Sequence, residues 1–311
     1  MGFRTYLNAQ SVKAEIKESR YPIKGYLFLV STAFFTALSY VFGKAVNKEL
    51  NPETVTFFWF FSAFFFSLFV VILLPSQRME IKNIGRYLPI FFWSSVVTAI
   101  GAALWILSLR TIGPPLTSFL MKSQTLFSLL LGILFLGERL NRWEMFGIIV
   151  TITGGVVVAY QKEGYLILGT FMALLSAFCY SLLSFLVKKI AQNLNMLTVA
   201  NLRALGVSIV VFAYLIATGR FQVPELRDLL FMAFGGLTGA YIAKASQFQS
   251  IKLLDVSRST AVMPMESLFV VVFSYVFFHD LPSVTKLLGG AGIVVGVVFL
   301  VVFRGTKVET L

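Results

Sequence analysis

Ten apolar runs divide the chain, at about 25–45, 54–74, 88–109, 114–137, 143–160, 165–187, 196–217, 228–250, 256–278 and 284–303. At about 1.5 Å per helical residue, each approaches the ~30 Å hydrocarbon thickness of a bilayer. Turn and breaker residues stand between the runs: Asn51-Pro52, Pro75, Gly113-Pro114-Pro115, Asn141, Gly164, Asn193, Gly219, Asp255 and Pro282. Asn141, with Glu144 three residues on, predicts an N-cap and capping box opening the fifth helix. The pattern predicts an all-α integral membrane protein with ten transmembrane helices.

Composition agrees with that pattern. The 311 residues are 58% hydrophobic and 13% charged, with a mean hydropathy of +0.84. Soluble domains run at about 45–50% apolar and about 25% charged, so most soluble folds are excluded. Little chain is left for a second, soluble domain. The organisation expected is a tail over 1–22, one transmembrane domain over 23–303 and a short tail over 304–311. Residues 1–22 are polar, with no apolar stretch before a small-residue cleavage site, so no signal peptide is expected. Tyr6 stands where a myristoylation motif needs Ser or Thr. A single cysteine, Cys179, excludes an internal disulfide. The net charge of +12 is read as basic loops rather than nucleic-acid binding. Sixteen Lys and Arg fall in alternate connections on one side and seven on the other, which predicts both termini in the cytoplasm of a plasma-membrane protein.

The chain also repeats itself. At an offset of 144, Gly25 meets Gly169, Lys44 meets Lys188, and Thr54-Val55 meets Thr198-Val199. From the third run on, the offset is 142: Ser108-Leu109-Arg110 meets Ser250-Ile251-Lys252, Glu138 meets Asp280, and Gly147 and Gly154 meet Gly289 and Gly296. The two repeats, 23–160 and 165–303, hold five runs each. An odd number makes the second half enter from the opposite face, a 5+5 inverted repeat. Such halves alternate between inward-open and outward-open states around a site at their shared midplane.

These residues carry a resemblance. Leu136-Gly137-Glu138-Arg139-Leu140, followed by Gly147 and Gly154-Gly155, and the echo Phe278-His279-Asp280-Leu281, followed by Gly289 and Gly296, resemble the drug/metabolite transporter superfamily, EamA type. Arg203, after Asn195 and Thr198, also looks like the family pattern. The resemblance implies ten helices and export or exchange of small metabolites. The family usually carries proline midway along helices four and nine; Pro264 keeps it in nine, and Lys122 replaces it in four.

Charged groups inside a span are expensive unless paired or solvated, so each is a candidate. Lys122 lies about 12 Å into the membrane, too deep for full snorkelling, and reads as a cavity cation or half of an ion pair. Glu266, about 15 Å deep and the repeat partner of Gln124, is a candidate for proton-linked coupling. Arg203 and Lys244, each about 10 Å in, read equally as cavity groups or snorkelling cations. Ser123 and Gln124 orient a polar ligand or bond to neighbouring helices. Trp105 and Tyr241 are weaker candidates, on helices that line the cavity in the family. No phosphate-binding loop, zinc-protease or hydrolase motif occurs, so neither an enzyme nor an ATP-driven pump is expected, and no cofactor or metal.

The reading is a secondary carrier for a small polar metabolite bearing carboxylate or phosphate, such as an amino acid or organic acid, since positive groups outnumber negative ones in the spans. Export of amphipathic or aromatic compounds, and a channel or non-transporting receptor, stay open beside it; a lipid-modifying enzyme lacks a nucleophile and base. The expected partners are a small-molecule substrate, the lipid bilayer and protons as coupling ion. Neither nucleic acid nor an obligate protein partner is expected.

Overall fold

The computed structural model describes residues 22–73, 84–136, 141–159, 164–188, 194, 196–253 and 265–305, and all regular structure among them is helical. Helices α1 (Pro22–Ala45) and α2 (Pro52–Leu73) both open on proline, whose missing N–H costs nothing in a first turn. A short 3₁₀ turn, Ile84–Tyr87, leads into α3 (Leu88–Met121). Helix α3 bends at Gly113, whose φ of 80° and ψ of 167° suit a residue with no Cβ, and Pro114 opens its second leg. A hydrogen bond of 2.9 Å between Ser108 Oγ and Thr117 Oγ1 ties the two legs across the bend.

The fourth apolar run is not the continuous helix that its hydrophobicity predicts. At Lys122 the winding tightens: its N–H bonds to Phe119 O, and Thr125 N–H bonds to Lys122 O, both three residues apart at 3.1 Å. Helix α4 (Ser123–Leu136) then continues to the end of the run. The change of pitch falls at the residue whose charged side chain crosses to another helix.

Helix α5 (Arg142–Ala159) begins as its capping residues predict, with Asn141 N–H donating to Glu144 Oε2 at 2.6 Å. Helices α6 (Gly164–Lys188) and α7 (Met196–Thr218) follow. The eighth run is also not uniform: α8 (Leu226–Gly235) passes into a π-helical segment, Gly236–Ala243, and then α9 (Lys244–Leu253). Wide turns of this kind recur at functional sites because they re-aim backbone and side chains. Helices α10 (Met265–Phe278) and α11 (Val284–Gly305) complete the described chain. Gln124 in α4 and Glu266 in α10 stand 142 residues apart, the offset found in the sequence. Pro264 and Glu138 lie outside the described residues.

Among the described residues, six stretches are long and apolar enough to cross a membrane, and three shorter apolar helices accompany them. Phe65, Phe69, Ile149, Phe171 and Leu268 are exposed on the outside of the bundle, a surface suited to lipid rather than water. Inside, Tyr40, Trp59, Ile106, Val207, Met232 and Val270 bring α1, α2, α3, α7, α8 and α10 into one core.

Helices α5 and α11 touch backbone to backbone. A Cβ on Gly154 would sit 2.6 Å from both Gly289 O and Ile293 N, atoms that no rotamer change can move. Gly154→Ala is expected to cost about 1–3 kcal/mol of stability. Gly155→Ala, next door and facing open space, is expected to be silent. Thermal unfolding of the two purified variants in detergent checks the contrast.

One end of the bundle is laced by polar contacts. Arg110, at the end of the first leg of α3, donates to Leu50 O (2.6 Å), Lys48 O (3.2 Å) and Asn47 O (3.2 Å). Asp228 accepts from Asn47 N–H at 3.0 Å, Gln222 accepts from Asn51 N–H at 2.6 Å, and Lys44 pairs with Asp280. The Lys44–Asp280 pair is partly exposed, so Asp280→Asn should change stability by less than about 1 kcal/mol. Arg110→Ala removes the donor to the Lys48 and Leu50 carbonyls and one of two to Asn47 O, and should cost about 1–2 kcal/mol. Parallel melting curves test that ranking.

Candidate functional site

Four ionisable side chains meet inside the bundle. Lys122 Nζ lies 2.8 Å from Glu266 Oε2, with side-chain exposures of 8% and 12%. Lys122 thus faces the carboxylate that the repeat sets opposite Gln124. Glu266 also falls in the first turn of α10, where a helix dipole favours negative charge.

Arg203 is buried at 3% exposure and does not snorkel. Its Nη2 donates to Ala240 O at 3.1 Å, within the π segment, and its guanidinium lies 5.4 Å from the centre of the Phe60 ring. Its Nε has no hydrogen-bond partner among the described residues. Lys244 follows Ala240 by four residues in the chain, and its Nζ donates to Gln247 Oε1 at 3.0 Å. Arg203, Glu266 and Lys122 all lie near enough to Lys244 to set the field at its ammonium.

Gln124 Nε2 donates to Tyr180 O and Ser184 Oγ, both at 3.2 Å. Ser123 is buried beside Lys122. Trp105 packs edge-on to Tyr40 (5.1 Å between ring centres) and to Trp59 (5.6 Å), forming an aromatic wall. Gly235 makes room for that wall, since a Cβ there would meet the Trp59 ring at 2.1 Å. Tyr241 is buried in the apolar core.

Sequence reasoning missed three residues here. Tyr40, at 3% exposure, lies within the field of Glu266, and Tyr180 within that of Arg203. Asn201 is 3% exposed, and neither amide atom has a partner among the described residues. A lone amide inside an apolar run was the signal that marks it. An apolar groove of about 460 Å³ runs elsewhere, between α5 and α11, lined by Ile149, Val157 and Leu288 and remote in chemistry from the charged cluster.

A lipid-clad helical bundle with paired and unpaired charges at its centre is the build of a membrane transport protein. The comparisons agree. The chain belongs to the EamA-like transporter family, whose profile matches twice, over residues 23–160 and 167–302. It is similar to an uncharacterized transporter of Methanothermobacter thermautotrophicus, 22% identical over 296 residues, covering 89% of this chain and 85% of that one. An uncharacterized transporter of Sinorhizobium sp., from the region 3′ of cobO, is 31% identical over 137 residues. That match takes in 43% of this chain but 96% of the relative, so about half of this chain accounts for nearly all of it. A solved crystal structure aligns over 92% of this chain and 98% of its own, with a TM-score of 0.61 at 15% identity, a likeness of fold.

Proposed function

We propose that this member of the family is a secondary carrier that moves a small anionic metabolite, such as an amino acid or organic acid, by alternating access. Ten crossings in a 5+5 inverted repeat, with both termini in the cytoplasm of the plasma membrane, form its frame. The doubled family match and the half-length relative support the repeat in that frame. The observation that carries the substrate reading is the charge balance of the interior: Lys122, Arg203 and Lys244 gather against one carboxylate, and that carboxylate is taken by Lys122. Buried positive charge attracts a carboxylate or phosphate and rejects a cation. Protons are the coupling ion in this reading, because a proton on Glu266 would break its bridge and free Lys122 for the substrate.

The test is counterflow in proteoliposomes. Internal unlabelled substrate should accelerate uptake of labelled substrate. A channel gives equal rates with and without internal substrate, and a receptor gives binding without uptake. The wall of Tyr40, Trp105 and Trp59 favours a second reading, export of aromatic or amphipathic compounds. Counterflow of uncharged aromatics in preference to organic anions would select it.

A further inference from the structure

We propose that the substrate is a dianion, a dicarboxylate or a phosphate monoester, held between Arg203 and Lys244. The proposal rests on the carrier reading and narrows it. Among the described residues, the bundle's interior holds three cations, and one of them is neutralised: Lys122 faces Glu266 at 2.8 Å. Arg203 and Lys244 have no carboxylate within 4 Å among those residues. Their recorded partners are neutral, Ala240 O for Arg203 and Gln247 Oε1 for Lys244.

The two cations also act on one another: Arg203 bonds to the carbonyl of Ala240, Lys244 stands four residues further along the chain, and the field of the guanidinium reaches the ammonium. Two like charges that close in a membrane interior repel each other. An arginine buried only for structure would be expected to bring a counter-ion with it. This one leaves its Nε–H unpartnered among the described residues at 3% residue exposure, although a guanidinium presents its donors as a fork suited to an oxyanion. A monoanion would neutralise one of the two charges and leave the other buried. A compact dianion neutralises both, with one oxyanion on the fork of Arg203 and the second charge on Lys244. The π segment that precedes Lys244 contributes the geometry, because it offers the Ala240 carbonyl that anchors Nη2.

The experiment uses the purified full-length protein, with ligand-induced thermal stabilisation and proteoliposome counterflow read in parallel just above neutral pH. The probes are matched sets: succinate, monomethyl succinate and succinamide; methyl phosphate and dimethyl phosphate. Each dianion is expected to bind at least tenfold tighter than its own monoanion, and succinamide not at all. Lys244→Gln is expected to bring the dianion-to-monoanion ratio close to one while monoanion binding persists. Arg203→Lys, which keeps the charge but loses the fork, should weaken both classes and leave a dianion preference. The wild-type ratio stands as a test even if a variant fails to fold. Monoanions binding as tightly as dianions, or a ratio untouched by Lys244→Gln, would overturn the proposal and leave the carrier reading intact. Probes that bind without any counterflow would overturn the carrier reading instead. Preference between succinate and methyl phosphate identifies the oxyanion class.

Discussion

Lys122→Ala should unfold more easily than the wild type by about 3–5 kcal/mol and should lose uptake. Both losses follow from the same contact. Lys122 Nζ and Glu266 Oε2 are 2.8 Å apart at side-chain exposures of 8% and 12%, so removing either partner strands the other's charge out of water. Glu266→Ala is therefore expected to show a similar loss of stability. A neutral pair separates folding from transport. Lys122→Met combined with Glu266→Gln leaves no buried charge behind, and its melting temperature should return towards that of the wild type. Its uptake should not return, because Lys122 is expected to meet the substrate once the bridge opens. Losing a charge-assisted contact of about 1.5–3 kcal/mol corresponds to a fall of about 10–150-fold in uptake. Melting curves in detergent and initial rates in proteoliposomes, measured on the two single variants and the double, decide the matter. Wild-type uptake by the double variant would make the pair a structural staple only.

The parts of this molecule that were legible in advance are those encoded by hydrophobic length and by duplication. Apolar runs bounded by proline and asparagine mark the helices, because a bilayer leaves a chain few other ways to satisfy its backbone. The offset of 142 makes α4 and α10 counterparts in the two repeats. It also placed Glu266 opposite Gln124, and charge in an apolar run singled out Lys122, Arg203 and Lys244 without any coordinates. Partners were harder to read. Nothing in the local sequence says that Arg203 bonds to the Ala240 carbonyl rather than reaching for the head groups, since that depends on how α7 packs against the eighth run. The π segment was invisible for a similar reason. Its composition, Gly236 to Ala243, is that of an ordinary close-packed helix, and only the contacts of Gly236 with Trp59 and Gly239 with Ser39 reveal the crowding around it. Arg110, likewise, looked like one more loop cation in the charge count. Its donation to three carbonyls of the first connection comes from tertiary placement.

Glu266→Gln should keep exchange and lose accumulation driven by a pH difference. The amide retains an oxygen that accepts from Lys122 Nζ, so this variant should fold better than Glu266→Ala, although it leaves the ammonium without a counter-charge. What it removes is the ability to take up and release a proton. In the proposed cycle, a proton arriving from the more acidic side occupies Glu266, the bridge to Lys122 opens, and the freed ammonium joins Arg203 and Lys244 around the entering anion. Release on the other side lets the carboxylate re-form its bridge and expel the substrate. An acidic exterior should therefore raise wild-type accumulation, and an acidic interior should lower it. In Glu266→Gln the site resembles the protonated state at every pH. Labelled substrate should still exchange against unlabelled substrate, at a rate that the pH difference does not alter. The measurement is uptake into proteoliposomes with the imposed pH difference directed inward, directed outward and absent, for wild type and variant together. Wild-type accumulation that is the same in all three conditions would remove Glu266 from coupling, and the carrier would then be a uniporter or exchanger with a structural Lys122–Glu266 pair.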